Sequence, residues 1–389
     1  MSKIHSVVDI RKNHIKYIID YLRGKDGVTK KQISADLNLS FATVSNLCNL
    51  LYDIGIITEV SEEDTGSVGR TPKWISLKLD TYYIVAIDAH SAGVIELNLC
   101  DLCGSAVCST RVYYDINGSL EACLDALAQS YNRFLTNAQK EAVIGIGVAV
   151  SGIYDLVTGK IVASELSLYE GQPLRLMLEE RLSKPVFIEN ESTLCAICLA
   201  EKRKLQNILY FYLGEGVGIG IISEGNNIIG RRGYSTEISH APLGRLARSC
   251  AVCGNKRCFQ TDLSVYGFAE KFDGTEPSIG NLAAWRQFLA ALEAGDHNAL
   301  AATTENAEVL GEAVSIMVNL FDPEAVVIGG INQTLYETML PVIRSINNSR
   351  RAVKAAIEPE FLLDENSNRT IIEGAAQMVY AQWHPPLSP

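Results

Sequence analysis

One histidine and three cysteines lie within nineteen residues of a chain of 389. The stretch reads HAPLGRLARSCAVCGNKRC and places His240, Cys250, Cys253 and Cys258 at spacings of nine, two and four intervening residues. Imidazole nitrogen and thiolate sulfur are ligands that Zn²⁺ prefers, and a Cys-x2-Cys pair suits a zinc knuckle. Four protein ligands fill a tetrahedral shell and leave no position for a reactive water. The spacing therefore predicts a structural zinc site that performs no chemistry.

The remaining cysteines do not extend this pattern. Ten cysteines in a chain of this length are too sparse for a disulfide scaffold, so reduced thiols are expected. Cys100 and Cys103, and likewise Cys195 and Cys198, share the x2 spacing but lack a second pair nearby. They predict a turn and a buried helix face. A zinc or redox sensor is the alternative interpretation of the histidine and cysteine cluster.

The N-terminal part of the chain predicts two short helices joined by a tight turn. In VTKKQISADLNLSFATVSNLCNLLYDIGII, Thr29 and Ser40 are good helix N-caps, and Asn38 can make the turn between them. A preceding helix, residues 13–22, carries apolar residues at helical spacing. After Gly55, two alternating stretches flank an acidic, glycine-containing tip, as in a β-hairpin wing. A winged helix-turn-helix is therefore expected.

The second of these helices carries the groups suited to read DNA. Small hydroxyl and amide side chains that suit base edges and phosphates fill its first turns, namely Ser40, Thr43, Ser45 and Asn46. Arg70 in the wing, beside Gly66 and Gly69, is placed to enter a minor groove. One such head reads a half-site, which implies a homodimer on an inverted repeat of double-stranded DNA. A helical hairpin used for protein contacts is the alternative.

Charge is distributed unevenly along the chain. The first 79 residues hold 11 basic and 9 acidic side chains, whereas the remainder holds 23 and 36. An acidic body repels nucleic acid, so any DNA contact must come from the N-terminal segment. No stretch approaches the roughly 20 apolar residues that span a membrane, and charges interrupt the first residues, where a signal peptide would be apolar. A soluble cytoplasmic protein without membrane contacts is expected.

Beyond residue 79 the pattern changes to alternating strands and helices. Residues 82–114 predict three strands in a meander, a helix follows over 119–140, and AVIGIGVAVSG predicts a buried strand. A second round begins with the glycine-turned strand pair of NILYFYLGEGVGIGIISEG and ends with the buried strand of NLFDPEAVVIGGI. Repetition of this kind predicts two similar α/β lobes with a cleft between them. The expected domains are residues 1–79, 80–190 and 191–389, with the C-terminal helix returning to the first lobe.

The order of these motifs resembles the ROK family of repressors and sugar kinases, and within it the repressors with a winged helix. The similar stretches run almost end to end, from the Gly-Arg-Thr-Pro of the wing through GIGVAVSGIYDLVTGKI, PVFIENESTLCAICLAE, LGEGVGIGII and EISHAPLG to NLFDPEAVVIGG. The resemblance implies an α/β body of two actin-like, ribonuclease-H-like lobes. It also implies zinc at the cysteine cluster, where this chain has Cys-x2-Cys and the family has Cys-x-Cys.

The resemblance also indicates where kinase chemistry would lie and how this chain departs from it. Asn190-Glu191 stands where kinases of the family have Asn-Asp, and the added methylene displaces a base that must reach the sugar hydroxyl. Residues 88–93 replace a Gly-Gly-Thr phosphate loop, and Gly214-Glu215-Gly216 replaces Gly-Thr-Gly with a carboxylate that repels phosphate. We therefore expect no enzyme activity. An active or bifunctional ATP-dependent sugar kinase is the alternative.

The sugar pocket implied by the resemblance is less altered. It comprises Asn190, Glu191, Glu237 and His240, together with Gln260 where the family has a glutamate. Side chains of this kind accept from and donate to vicinal hydroxyls, although a solvated surface acid is the alternative interpretation of Glu237. The implied effector is a sugar or sugar phosphate, and its expected action is to release a dimeric or tetrameric repressor from its operator.

Overall fold

The computed structural model describes residues 7–61, 73–274, 278–353, 355 and 357–386. The head consists of helices α1 (Val7–Leu22), α2 (Lys30–Asp36) and α3 (Phe41–Asp53), followed by strands β1 (Ile57–Ser61) and β2 (Lys73–Leu77). The two strands pair in antiparallel fashion, with Ile57 opposite Leu77 and Ser61 opposite Lys73. No helix within the described ranges combines the length and apolar character needed to cross a bilayer.

Local signals in the sequence set the helix boundaries of the head. Thr29 caps α2 in a capping box with Gln32, and the Ser40 hydroxyl accepts a hydrogen bond from the Thr43 amide at the start of α3. Asn38 takes up a positive φ of 53° in the turn between the two helices. The predicted order of three helices followed by two wing strands is confirmed. The wing tip, residues 62–72, lies outside the described residues, and Arg70 lies with it.

The first lobe is built on a mixed five-stranded sheet. Its elements are β3 (Tyr83–Asp88), β4 (Val94–Cys100), β5 (Ala106–Tyr113), α4 (Leu120–Phe134), α5 (Asn137–Ala142), β6 (Val143–Val150), β7 (Ile153–Asp155), β8 (Lys160–Ala163), α6 (Leu174–Leu182) and β9 (Val186–Asn190). The strand order is β5-β4-β3-β6-β9, in which β3 pairs in parallel with β6, and β6 with β9. Strands β7 and β8 form a separate hairpin.

The second lobe repeats this plan. Its elements are α7 (Glu191–Arg203), β10 (Ile208–Leu213), β11 (Val217–Ser223), β12 (Asn226–Asn227), α8 (Phe259–Leu263), α9 (Val265–Asp273), α10 (Ala283–Glu293), α11 (His297–Phe321), β13 (Ala325–Gly329), α12 (Gln333–Arg350), β14 (Glu360–Asp364) and α13 (Ser367–Gln382). The strand order β12-β11-β10-β13-β14 matches that of the first sheet position by position. The expected fold class, a winged head followed by two similar α/β lobes, is confirmed.

Two helices differ from their predicted extents. Helix α1 begins at Val7, six residues before the predicted start. The single helix expected over residues 119–140 is two helices, α4 and α5. Thr136 takes an extended conformation and forms a capping box with Gln139, which starts a new helix and ends the old one at Phe134. The Thr-x-x-Gln pattern that marks this break is visible in the sequence.

Helices α7 and α13 pack against each other and against the two sheets, α7 on β10 and β11, and α13 on β3 and β6. Glycines in the strands allow this close approach. A Cβ on Gly147 of β6 would overlap the carbonyl oxygen of Ala375, and a Cβ on Gly220 of β11 would overlap that of Ser192. The two helices thus form a contact between the two lobes.

The head rests on these same two helices. The Lys16 ammonium of α1 donates to the carbonyl oxygen of Tyr380 at 2.6 Å, and the Tyr380 hydroxyl donates to Asp20 at 2.6 Å. Arg23 forms an ion pair with Glu201 of α7 at 3.0 Å. Apolar residues of α1 and of α13 belong to one continuous core. The head is therefore connected to the body through side chains as well as through the backbone.

Candidate functional site

A cavity of 60 Å³ lies between the two lobes. The end of β9 and the start of α7 form one wall, and β11 with a short 3-10 helix, Glu237–His240, forms another. Asn190 caps α7, since its side-chain oxygen accepts from the Ser192 amide at 2.9 Å, and this fixes the start of that helix. All five residues expected at a sugar site line the cavity, namely Asn190, Glu191, Glu237, His240 and Gln260.

The walls of this cavity are strongly acidic. Glu165, Glu189, Glu191 and Glu237 line it, and within the described part of the chain no lysine or arginine does. Burial raises the pKa of Glu191 to about 8, and burial likewise raises the pKa of Glu237 to about 7 against the opposing effect of His240. Glu191 is therefore kept from water whereas Glu237 is half-buried, and both carboxyl groups carry less charge at neutral pH than fully exposed ones.

Two of the oxygen atoms here lack hydrogen-bond partners. Glu191 is 4% exposed and its Oε2 atom has no donor, and the buried Oδ1 atom of Asn227 has none either. A buried acceptor without a donor costs about 1–3 kcal/mol. A ligand that offers several hydroxyl donors removes this cost at both atoms, so the cavity is chemically suited to a polyhydroxylated molecule.

Sequence reasoning missed Glu165, which crosses the cleft. It lies beyond β8 in the first lobe, accepts a hydrogen bond from Ser151 at 2.9 Å, and accepts another at 2.5 Å from the amide of Gln260 in the second lobe. No local motif surrounds Glu165. The only signal was indirect. The glutamine at position 260 can donate a hydrogen bond, which a carboxylate cannot, and it therefore needs an acceptor nearby.

The histidine and three cysteines meet as the sequence predicted from their spacing. Their ligand atoms all lie within 4.8 Å of one another, with 3.5 Å between His240 Nδ1 and Cys250 Sγ and 3.4 Å between the Sγ atoms of Cys253 and Cys258. A tetrahedral ion with Zn–S near 2.3 Å and Zn–N near 2.0–2.1 Å requires ligand separations of about 3.5–3.8 Å. The donor set and its spacing fit a metal ion with small adjustments.

His240 belongs to both the cluster and the cavity. Its Nδ1 atom faces Cys250, and its Nε2 atom lies 3.7 Å from Glu237 Oε2. A carboxylate behind a metal-binding imidazole fixes the orientation and tautomer of the ring. A metal at the cluster would therefore also position Glu237 in the cavity wall. Cys258 has a similar double role, since it is the N-cap residue of α8, which carries Gln260.

The region expected to hold nucleotide phosphates is occupied by side chains of this chain. The Glu215 carboxylate, in the turn between β10 and β11, accepts from the Tyr266 hydroxyl, from the Gly280 amide at 3.1 Å and from the Ala92 amide of the first lobe at 3.3 Å. His90 of the first lobe contacts the Tyr212 hydroxyl of the second at 3.0 Å. These contacts join the lobes at this end of the cleft.

His90 also carries a positive charge. Burial alone would lower its pKa, but the adjoining Asp88 carboxylate, with further contributions from Glu191 and Glu215, raises the pKa of His90 to about 9. The ring is thus an imidazolium at neutral pH, enclosed by three acidic side chains. An imidazolium and a carboxylate here neutralise one another without any ligand.

The head places its candidate DNA-contacting residues at the start of α3. Ser40 and Asn46 are exposed, and Thr43 and Ser45 are half-buried. The hydroxyls of Ser40 and Thr43 lie 2.8 Å apart, so these two side chains contact each other as well as solvent. Phe41, 57% exposed on the same turn, was not singled out from the sequence because an exposed aromatic residue has no periodic signature.

Three comparisons bear on this architecture. The profile of the ROK family matches residues 93–382. A xylose repressor of Caldicellulosiruptor bescii is 25% identical, over 90% of this chain and 91% of the relative, whereas a glucokinase of Halalkalibacterium halodurans is 29% identical over 62% of this chain and 78% of its own. A crystal structure described as a ROK family transcriptional regulator, homologous to the Escherichia coli Mlc protein, superimposes with a TM-score of 0.78 at 19% identity, covering 95% of this chain and 97% of that one.

Proposed function

Because the chain belongs to the ROK family, we propose that it is a sugar-responsive transcriptional repressor that binds double-stranded DNA through its N-terminal head. The observation that carries this proposal is the combination, in one chain, of a helix-turn-helix with wing strands and a donor-deficient cavity between two lobes. The relative named as a xylose repressor matches over 90% of the chain, whereas the relative named as a glucokinase matches over 62%.

The head supplies the DNA contacts in this proposal. The start of α3 enters the major groove, where Ser40, Thr43, Ser45 and Asn46 meet base edges and phosphates. Arg70 adds a minor-groove contact from the wing. A single head covers one half-site, so the protein acts as a homodimer, or as a pair of dimers, on an inverted repeat.

The effector is a sugar without a phosphate group. Asn190, Glu191, Glu237, His240 and Gln260 bind its hydroxyls, and the buried Glu191 Oε2 atom gains the donor that it lacks. Four glutamates line the cavity and no lysine or arginine among the described residues joins them, so a phosphate dianion would enter with no cation to bind it. This observation favours a neutral sugar over the sugar phosphate that the sequence left open.

Zinc holds the loop that carries His240. Three thiols and one imidazole are its preferred ligands, and all four coordination positions are taken by protein. His240, Cys250, Cys253 and Cys258 would hold the ion, which would leave no position for a reactive water, and the ion would fix Cys258 and His240 and through them Gln260 and Glu237. A sensor role is disfavoured because three of the four ligands, His240, Cys250 and Cys258, are half-buried or buried.

The body has no kinase activity in this proposal. Glu191 stands where kinases of the family have an aspartate, and its added methylene displaces the carboxyl from the position of a base that must reach the sugar hydroxyl. Glu215 accepts hydrogen bonds from the backbone amides of Ala92 and Gly280. Backbone amides are the donors that a bound phosphate would need, so these two are already engaged. An assay of sugar-dependent ATP consumption distinguishes this from the kinase alternative, since turnover at ordinary kinase rates would contradict it.

Helix α7 provides the coupling between the cavity and the head. It begins at Glu191 in the cavity wall and carries Glu201 roughly 15 Å along its axis at 1.5 Å per residue, where Glu201 pairs with Arg23, the residue after α1. A cavity of 790 Å³ beside the contact between α1 and α13 leaves room for the head to shift. A sugar that binds one lobe arrangement better than the other therefore changes which head positions are populated.

The test is a titration of labelled repressor–DNA complex with sugar. The DNA is an inverted repeat selected from random duplexes by the purified protein, and the sugars are D-xylose and D-glucose, each beside its phosphate ester. We expect the neutral sugar to weaken DNA binding about 5- to 150-fold, the usual range of allosteric coupling. Asn46→Ala should change the preferred sequence, and Glu237→Ala should bind DNA without releasing it. DNA affinity that stays constant at saturating concentrations of every sugar that binds would refute the switch.

A further inference from the structure

We infer that Glu165 and Gln260 form the closing contact of the effector cavity, a bridge between the lobes that positions the cavity walls and selects the ligand. This inference rests on the proposed role of the cavity as an effector site. The Gln260 amide donates to Glu165 Oε1 at 2.5 Å, and the two residues belong to opposite lobes, 95 positions apart in the chain. Gln260 is 7% exposed and Glu165 is half-buried, so the bridge is partly shielded from water.

The chemistry of the pair requires one amide and one carboxylate. Two carboxylates at this separation repel unless they share a proton, whereas an amide donates to a carboxylate directly. Gln260 is therefore matched to the acid that the opposite lobe presents. The family resemblance places a glutamate at this position, and Glu165 explains why this chain has the uncharged isostere.

A glycine makes room for the bridge. A Cβ on Gly216, in the turn between β10 and β11, would overlap Oε1 of Glu165, although the backbone of Gly216 does not itself require glycine. Glu165 thus touches the second lobe at two places, Gln260 and the Gly216 turn. The same turn carries Glu215, which accepts the Ala92 amide of the first lobe. This one short turn therefore takes part in two contacts across the cleft, one through Gly216 and one through Glu215.

The bridge also determines which acceptors remain for a ligand. Ser151 and Gln260 each donate one hydrogen bond to Glu165, one to each carboxylate oxygen, and each oxygen retains a lone pair. Those lone pairs and Asn227 Oδ1 are acceptors, so a ligand that binds beside them must bring donors. A ligand that holds Glu165 and Gln260 together stabilises the closed lobes. Glu165 is accordingly a positioning residue as well as a wall of the cavity.

A charge-swap cycle tests the bridge. Gln260→Glu creates a carboxylate pair, Glu165→Gln creates an amide pair, and the double variant restores one amide and one carboxylate in reversed order. We expect Gln260→Glu to lower the melting temperature of the ligand-free protein by about 2 °C or more and to weaken sugar binding at least about tenfold. The double variant should recover most of both losses, because it rebuilds the same hydrogen bond.

A matched control exists on the surface of the second lobe. Gln333 donates to Glu337 at 2.7 Å on the exposed face of α12, so Gln333→Glu makes the same chemical change beside a glutamate, away from the cleft. It should leave sugar binding unchanged. Gly216→Ala, which displaces only the end of the flexible Glu165 side chain, should weaken sugar binding as Glu165→Gln does while the protein stays folded.

The outcomes separate the bridge from the proposed function. Melting temperatures are measured without any ligand, so the cycle is informative even if no sugar binds. Strictly additive effects of the two substitutions, with no recovery in the double variant, would overturn the bridge and leave the repressor proposal intact. A wild-type protein that binds DNA but responds to no sugar, with full recovery in the melting cycle, would refute the proposed function and retain the bridge as a lobe-closing contact.

Discussion

Replacing Glu191 by glutamine should make the protein more stable, and increasingly so as the pH rises. Burial raises the pKa of this carboxyl from 4.5 to about 8, while the His90 imidazolium opposes the shift. An acid whose pKa is higher in the folded state keeps its proton on folding at intermediate pH, so the folded protein is favoured at low pH. That advantage is lost as pH rises from the ordinary pKa through the folded one. Glutamine has nearly the same shape and does not titrate.

The size of the effect follows from the shift. Each pH unit between about 4.5 and 8 lowers the free energy of unfolding of the wild type by about 1.4 kcal/mol relative to the variant, and the difference levels off above pH 8. Between pH 5.5 and 7.5 the variant should gain about 2–3 kcal/mol on the wild type. Because Glu191 is 4% exposed, little of this is screened by solvent.

Urea unfolding of both proteins at several pH values between 5.5 and 8.5 measures this difference. Glu180→Gln is the matched control, since this glutamate is exposed on α6 and its carboxyl stays in water on folding. A difference between wild type and Glu191→Gln that does not change with pH, or that shrinks as the pH rises, would show that the Glu191 carboxyl is ionised and well solvated in the folded protein. The interpretation of the cavity as a site that lacks hydrogen-bond donors would then be wrong.

Two further perturbations probe the parts that hold the cavity. Cys258→Ser should reduce bound zinc in protein purified without added metal and should lower the melting temperature. The control Cys108→Ser, at a half-buried edge-strand position, should retain full metal. Equal metal content in both variants would mean that the ligands were assigned wrongly. Gly147→Ala should cost about 1–3 kcal/mol or more in denaturant unfolding, since the added methyl overlaps the backbone of α13 at Ala375, and an unchanged midpoint would contradict the close packing of that helix on β6.

Local signals carried most of the fold. Thr29, Ser40 and Asn38 determine the helix ends and the turn of the head by contacts within a few residues, which is why they could be interpreted from the sequence. The break at Thr136 is equally local and was predictable from its capping box. The seating of α1 on α13 was not, because nothing near Lys16 indicates an approach to Tyr380, 364 positions away.

The candidate site divides in the same way. The metal-ligand spacing is compact and His240, Cys250, Cys253 and Cys258 do meet, whereas the sugar-site residues were reached through family resemblance and the structure brings them to one cavity. Glu165 could not be predicted from the sequence because its role depends on a hydrogen bond with the opposite lobe. The sequence predicts that the glutamate in the Gly214–Gly216 turn repels phosphate. It does not indicate the hydrogen bond that this glutamate accepts from the Ala92 amide of the first lobe, because the two residues are distant in the chain.

The seat of the head on α13 orders events during synthesis. The Lys16 and Tyr380 positions leave the ribosome 364 residues apart, which at roughly 5–20 residues per second separates them by about 20–70 s. Throughout that interval the head lacks the packing partner that α13 provides in the complete protein. The contact between the head and α13 thus forms only when this last helix docks. A chain that stops short of α13 would lack this contact, so under the proposed function its head would be uncoupled from the sugar cavity.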